Sequence, residues 1–250
     1  MTIQTFKRDD GTFLNVEYIK GKSDDTIVYL HGLLSCIKSA KASYLKEYAR
    51  VHGANFLTFD FTSHGNSWGT PQDWRIGRCL NDAKDVLNHY LKKPAIITGS
   101  SMGGCIALLL AERCPELFKA LIGLAPGADF MRWIWETMLD EKQKKLLKQG
   151  VVFGPDESTK GYCFSYDMFK DAQQFYQLDK KIPFNGPVRI LQGDKDVLVP
   201  YQTAFKIKDA LTSEDVQIIL IKGAEHKLST PEQLDILGHT LEEFINGEKK

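Results

Sequence analysis

The sequence predicts an α/β fold with a mostly parallel central sheet and helices on both faces. Three observations lead there. Short, nearly continuous apolar runs alternate with longer helical patterns, as strands covered on both faces alternate with their crossover helices. The 250 residues suit one domain with a full core. At 43% hydrophobic and 26% charged, the chain lacks the apolar depletion that goes with disorder.

Taken in order, "TFLNVEYIKGK" (12–22) alternates apolar and polar residues and predicts an antiparallel strand at the sheet edge. "TIVYLHG" (26–32) is the first buried parallel strand, followed by a helix over 38–52. "NFLTFDF" (55–61), a helix over 79–92, "AIITGS" (95–100), a helix over 102–113 and "ALIGLAP" (120–126) continue the rhythm. "VRILQGD" (188–194), a helix over 201–211, "VQIILIKG" (216–223) and a helix over 231–246 complete it. Ser229 or Thr230 caps that last helix, with Pro231 in its first turn.

Residues 127–187 break the pattern. An ordinary connection of this kind takes about 2–6 residues. The stretch is rich in aromatics, among them Phe130, Trp133, Trp135 and Tyr162, and is punctuated by Gly154-Pro155 and Pro183. It also holds one helical run, "DEKQKKLLKQG" (140–150). It predicts a cap inserted into a single domain that spans 1–250.

Composition excludes several classes. Lys+Arg and Asp+Glu both number 32, so net charge offers nothing to a nucleic acid or an anionic membrane. The five cysteines are odd in number and form no CxxC pair, which suggests free thiols rather than a disulfide framework or a zinc site. No signal-peptide pattern opens the chain and no run approaches the ~18 apolar residues of a membrane span. The expectation is a soluble cytoplasmic protein without stable membrane insertion.

The chemistry centres on Gly99-Ser100-Ser101-Met102-Gly103, a G-x-S-x-G pattern. The pattern alone is weak, but here a strand runs in and a helix runs out, as a nucleophile elbow requires. Gly99, Gly103 and Gly104 leave room for close strand–helix packing. Ser101 then stands at a helix N-terminus, where free N–H groups favour developing negative charge. Ser100 points the other way.

A serine hydroxyl needs a base, and the base needs an orienting group. Two histidines follow Ser101. His226 lies just past a strand end, where open α/β sheets place their ligand-binding loops; His239 lies within the last helix. For the acid, "LQGDKDVLVP" (191–200) offers Asp194 and Asp196. Asp194 is near enough to the strand to serve turn amides, and Asp196 is better placed to reach a histidine from the adjacent strand. The N–H groups of Leu33 and Met102 are the candidate oxyanion donors, with Gly32 letting the backbone approach the elbow. His31 is expected to order that loop. Asp60 and His64 lack a third ligand, so they are read as loop braces and no metal is expected.

The motifs "HG" (31–32), "FDFTSHGNS" (59–67), "GSSMGG" (99–104), "GDKDVLVP" (193–200) and the His226 loop resemble, in order and spacing, the α/β-hydrolase fold superfamily. "GANFLTFDFTSHGNS", "ITGSSMGG", "ALIGLAPGAD" and "VRILQGDKDVLVPY" are similar to the branch of mitochondrial palmitoyl-protein thioesterases and acyl-glucuronide esterases and its bacterial relatives. The resemblance covers essentially the whole chain. It implies a serine hydrolase that cleaves acyl esters or thioesters through Ser101, Asp196 and His226, with an acyl-enzyme and no cofactor. The expected partner is a small-molecule acyl ester or thioester, or an S-acylated protein, and no nucleic acid. Phe130 and Trp133 follow a strand end closely and are candidate acyl-pocket residues. The same three residues would also serve a carbon–carbon bond hydrolase or a small-ester lactonase, and a slow ligand-binding module could keep them. Superfamily members that open epoxides or displace halide use Asp at the nucleophile position, and Ser101 argues against them.

Overall fold

The computed structural model describes residues 3–154 and 163–245. Pro155, Tyr162 and the final residue of the helix expected over 231–246 lie outside the described residues.

Eight strands among the described residues form one sheet: β1 (Gln4–Lys7), β2 (Phe13–Ile19), β3 (Thr26–Leu30), β4 (Asn55–Phe59), β5 (Ala95–Ser100), β6 (Phe118–Leu124), β7 (Val188–Gly193) and β8 (Val216–Ile221). Their spatial order is β1-β2-β4-β3-β5-β6-β7-β8. The β1–β2 and β2–β4 pairs are antiparallel and every other pair is parallel. All residues of β3, β4, β5 and β7 are buried, which is why those strands read as apolar runs rather than alternating ones. Alternation persists underneath. Val28 and Leu30 of β3 pack into one core and Ile27 and Tyr29 into the other, because successive side chains leave opposite faces of a strand.

Helices α1 (Ala40–His52) and α8 (Pro231–Ile245) cover one face of the sheet through Leu45, Ala49, Leu237 and Leu241. Helices α2 (Ile76–Tyr90) and α3 (Met102–Arg113) cover the other through Leu80, Val86, Ile106 and Leu109. Ten of the twelve residues of α3 are buried, so it runs through the core as a helix apolar on every side. The ends of α1 are set by sequence. The Ser39 hydroxyl accepts from the Ala42 N–H, and Gly53 closes the helix at φ 69°. Thr230 and Gln233 reciprocate side-chain and backbone hydrogen bonds at the start of α8, so Thr230 rather than Ser229 is its cap.

Two expectations need correction. The 12–22 strand is not the sheet edge: β1 pairs outside it, in a hairpin turned at Asp9–Gly11 with Gly11 at φ 81°. The "DDG" at 9–11 carried the turn signal, since Asp-Gly supplies the positive φ such hairpins need. The stretch between β6 and β7 is also more helical than expected. It contains α4 (Phe130–Trp133), a π-helical turn (Ile134–Met138), α5 (Glu141–Lys148) and α6 (Tyr166–Gln173), and of these only α5 was anticipated. Asp129 and Ser165 stand at the N-cap positions of α4 and α6, but neither side chain caps its helix; the Asp129 carboxylate accepts instead from the Gln177 and Leu178 N–H groups. Helix α7 (Gln202–Ala210) lies between β7 and β8.

Candidate active site

The site forms at the carboxyl ends of β3, β5, β7 and β8. Ser101 links β5 to α3 with φ 53° and ψ −118°, a conformation that is strained for a residue with a Cβ. The backbone around it over-determines that strain. The Ser101 N–H donates to the Leu124 carbonyl at 3.0 Å, and the Ser101 carbonyl accepts from Gly104, Cys105 and Gly127. A Cβ on Gly103 would run into the Leu30 carbonyl, and one on Gly99 into the Gly103 carbonyl. Tight packing therefore forces glycine on both sides of the serine.

The His226 Nε2 lies 2.9 Å from the Ser101 Oγ, and its Nδ1 lies 2.8 Å from the Asp196 Oδ2. An ionised carboxylate only accepts, so Nδ1 carries the proton and Nε2 faces the serine hydroxyl as an acceptor. Asp196 is held on all sides: its Oδ1 accepts from the Leu198 and Val199 N–H groups, and its Oδ2 also accepts from the Gln192 Nε2 at 3.0 Å. The Lys195 N–H donates to the Ala224 carbonyl at 3.0 Å, which ties the Asp196 loop to the His226 loop. Ser101, His226 and Asp196 are thus in one hydrogen-bonded line. Asp194 is not part of it and accepts from the Gly223 N–H at 2.6 Å. His239 is exposed and bonds to the Asp235 carbonyl one turn back in α8.

The expected oxyanion donors flank the serine. Met102 is the first residue of α3, where an amide has no acceptor within its own helix. A Cβ on Gly32 would lie 3.2 Å from the Ser101 Cβ, so glycine there lets the Leu33 strand-exit loop sit against the elbow. His31 is fully buried, with Nδ1 2.8 Å from the Gly32 carbonyl and Nε2 accepting from the Phe61 N–H at 3.2 Å. Burial pushes its pKa down to about 3, so it stays neutral and Nδ1 is the donor. The bond to Gly32 holds the same peptide unit that carries the Leu33 N–H. Asp60 accepts from Asn15, Ile37 and Asn66 and braces the neighbouring loop. Burial also lowers the pKa of His64. Among the described residues, no group of three or more His, Cys, Asp or Glu could hold a metal.

Two spaces meet at Ser101. One is a narrow apolar pocket of about 50 Å³ whose lining includes Leu33, Phe130, Trp133, Ile134, Met138 and Phe164. Phe130 and Trp133 therefore do stand beside the serine. The other is a wider groove of about 800 Å³ that also reaches Ser101 and His226, where Lys41, Lys195 and Lys227 stand among apolar side chains such as Leu34, Val197 and Leu198. Sequence reasoning missed Gln192. A fully buried glutamine in a buried strand needs a partner, and that was the available signal.

A family profile described as the prolyl oligopeptidase family matches residues 57–248. The chain belongs to this α/β-hydrolase family. The hydrolase is 30% identical over 247 residues to the human protein named palmitoyl-protein thioesterase ABHD10, mitochondrial, covering 98% of this chain and 80% of the relative. The structure of mouse alpha/beta hydrolase domain-containing protein 10 matches with a TM-score of 0.90 at 29% identity, covering all of both chains. A putative hydrolase from Agrobacterium vitis also matches with a TM-score of 0.90, at 28% identity, covering 98% of this chain and 100% of that one. The hydrolase acts on ester bonds. The expected cytoplasmic location finds no support in relatives named mitochondrial. No helix among the described residues is long and apolar enough to cross a membrane.

Proposed function

We propose that this hydrolase cleaves acyl esters and thioesters through an acyl-enzyme on Ser101. The Ser101–His226–Asp196 line, with distances of 2.9 and 2.8 Å, carries the proposal. His226 takes the hydroxyl proton at Nε2 as the Ser101 Oγ attacks the acyl carbonyl carbon. Asp196 holds the ring in the right tautomer and stabilises the imidazolium that forms. The Leu33 and Met102 N–H groups bind the developing oxyanion. The carbon–oxygen or carbon–sulfur bond then breaks, and His226 returns the proton to the leaving atom. Water attacks the acyl-enzyme by the same route and releases the acid. No cofactor enters any step.

Residues 127–187 act as the cap of a single-domain enzyme and supply the acyl pocket through Phe130 and Trp133. Thioester cleavage enters on the strength of the relatives' names. The narrow apolar pocket beside Ser101 suits the hydrocarbon chain of an acyl group.

The test is fluorophosphonate labelling of the wild type beside Ser101→Ala, followed by ester and thioester panels of increasing acyl length. Labelling lost in the variant, with turnover of both esters and thioesters by the wild type, is expected. A wild-type protein that is neither labelled nor active would overturn the mechanism and bring the ligand-binding module forward.

A further inference from the structure

The wider groove contains a cation that the mechanism does not use. Lys41 is the second residue of α1 and only 8% exposed. Its ammonium donates to the Lys227 carbonyl and to the Ser229 hydroxyl. Among the described residues it has no carboxylate partner within 4 Å. A buried ammonium is ordinarily paired with an anion, and it has three protons to donate. Two are accounted for within the protein.

The surroundings repeat the same charge. Lys41, Lys195 and Lys227 line the groove against one carboxylate, that of the exposed Glu225. The groove therefore has an excess of positive side chains in a chain whose formal net charge is zero. The first turn of α1 faces the groove through Ser39, Ala40 and Lys41 and contains no acidic residue, so the positive end of that helix adds to the field. Ser35 and Ser229 contribute hydroxyls. Lysines bind a phosphate as point charges, and a helix N-terminus offers it free N–H groups.

We propose that the groove binds the leaving group of the substrate and that this leaving group is a phosphate-bearing thiol or alcohol, with Lys41 as its fixed cation and Lys195 and Lys227 as the outer ones. The proposal rests on the serine-hydrolase reading above. The assignment of halves follows from charge: the apolar pocket is lined by no lysine and suits the acyl group, and the groove that carries the lysines and meets the same serine is left for the other side of the scissile bond. The phosphate takes no part in bond making. Ser101 forms the new ester bond, the carbon–sulfur or carbon–oxygen bond breaks, and His226 supplies the proton to the departing atom.

The experiment is a matched pair of substrates, S-acyl pantetheine and S-acyl 4′-phosphopantetheine, with the acyl group that turns over fastest on the neutral carrier. The expected ratio of kcat/KM is at least tenfold in favour of the phosphorylated carrier at low ionic strength, falling as salt screens the lysines. Lys195→Gln with Lys227→Gln, both at exposed positions, should cut that ratio at least threefold. Lys41→Met, which keeps most of the aliphatic stem, should bring it close to one. Because Lys41 also holds the His226 loop, its variant is read by the ratio and not by either rate alone. A wild-type ratio near one overturns the proposal, as does a high ratio that all three changes leave intact. Turnover of the neutral carrier that is lost in Ser101→Ala upholds the parent reading in either case, so the two fail separately.

Discussion

Ser101→Gly should be more stable than Ser101→Ala, and both should abolish activity. Ser101 sits at φ 53° and ψ −118°, where a side chain costs on the order of 1–3 kcal/mol. Ser101→Ala removes the hydroxyl but keeps the Cβ and therefore the strain. Ser101→Gly removes both. Each variant loses the 2.9 Å contact with the His226 Nε2, so that loss cancels in a comparison between them. Glycine has a countervailing cost of about 0.4–1 kcal/mol, because its unfolded chain is freer than that of alanine. At the mid-points of those two ranges the difference left is about 1.3 kcal/mol in favour of glycine. For a domain of about this size each kcal/mol moves the melting temperature by roughly 2–4 °C, so Ser101→Gly should melt about 3–5 °C above Ser101→Ala. Thermal melts followed by circular dichroism, with urea titrations as a check, would measure it. If the glycine variant melts at or below the alanine variant, the elbow is not storing strain and the account of why glycines surround the serine loses its energetic basis.

His31→Leu should lower kcat by up to about 10²–10³, the effect of losing one oxyanion donor, with little change in KM, because it frees the peptide that carries the Leu33 N–H; steady-state kinetics on a short ester reads this. The same variant should flatten the acid limb of stability: native His31 resists protonation down to about 3 while the unfolded chain takes the proton near 6.5, so its contribution is full above about pH 6.5 and is lost towards pH 3 at up to about 1.4 kcal/mol per pH unit. Urea melts of wild type and variant across that window would detect the change in slope. Asp196→Asn should leave the fold near wild type in circular dichroism and reduce kcat by about 10⁴, because the amide favours the wrong tautomer of His226. Met138→Ala, at the end of the apolar pocket and 43% exposed, should move the optimum of an acyl-length series towards longer chains; an unchanged profile would mean that the chain takes another path.

What could be read from the sequence follows from what is local to a strand end. Ser101 and Asp196 sit just past the buried strands β5 and β7, and His226 just past the apolar but only half-buried edge strand β8, and a parallel sheet brings consecutive carboxyl ends to one edge. Choosing Asp196 over Asp194 needed only the loop position, and the Asp194 bond to the Gly223 amide shows the turn role that its proximity to β7 suggested. The interruption after β6 was legible as an interruption, but its helices were not. In α4 and α6 the N-cap residues Asp129 and Ser165 make no capping bond, and these helices are held by packing around Phe130, Trp133 and Phe169. β1 was missed because four largely exposed residues give no apolar period to count. Lys41 was invisible for a different reason: nothing in "SAKASYLKEY" separates it from Lys46, which reaches Glu17 at 3.1 Å, until the fold brings the His226 loop over one and not the other.

That contrast explains how one serine can face two unlike environments. The apolar wall at Phe130, Trp133 and Met138 comes from the long β6–β7 stretch, which can change length and composition without altering the sheet. Much of the lysine-bearing wall comes from the start of α1 and the loops after β7 and β8, the segments that also position His226 and Asp196. A substitution on the apolar wall therefore acts on the acyl group with the hydrogen-bonded line left in place. A substitution at Lys41 acts on the leaving group and on His226 together, since the Lys227 carbonyl that it holds belongs to the residue after the histidine. Acyl selectivity is thus free to vary on this scaffold, whereas leaving-group selectivity is coupled to the geometry of the base.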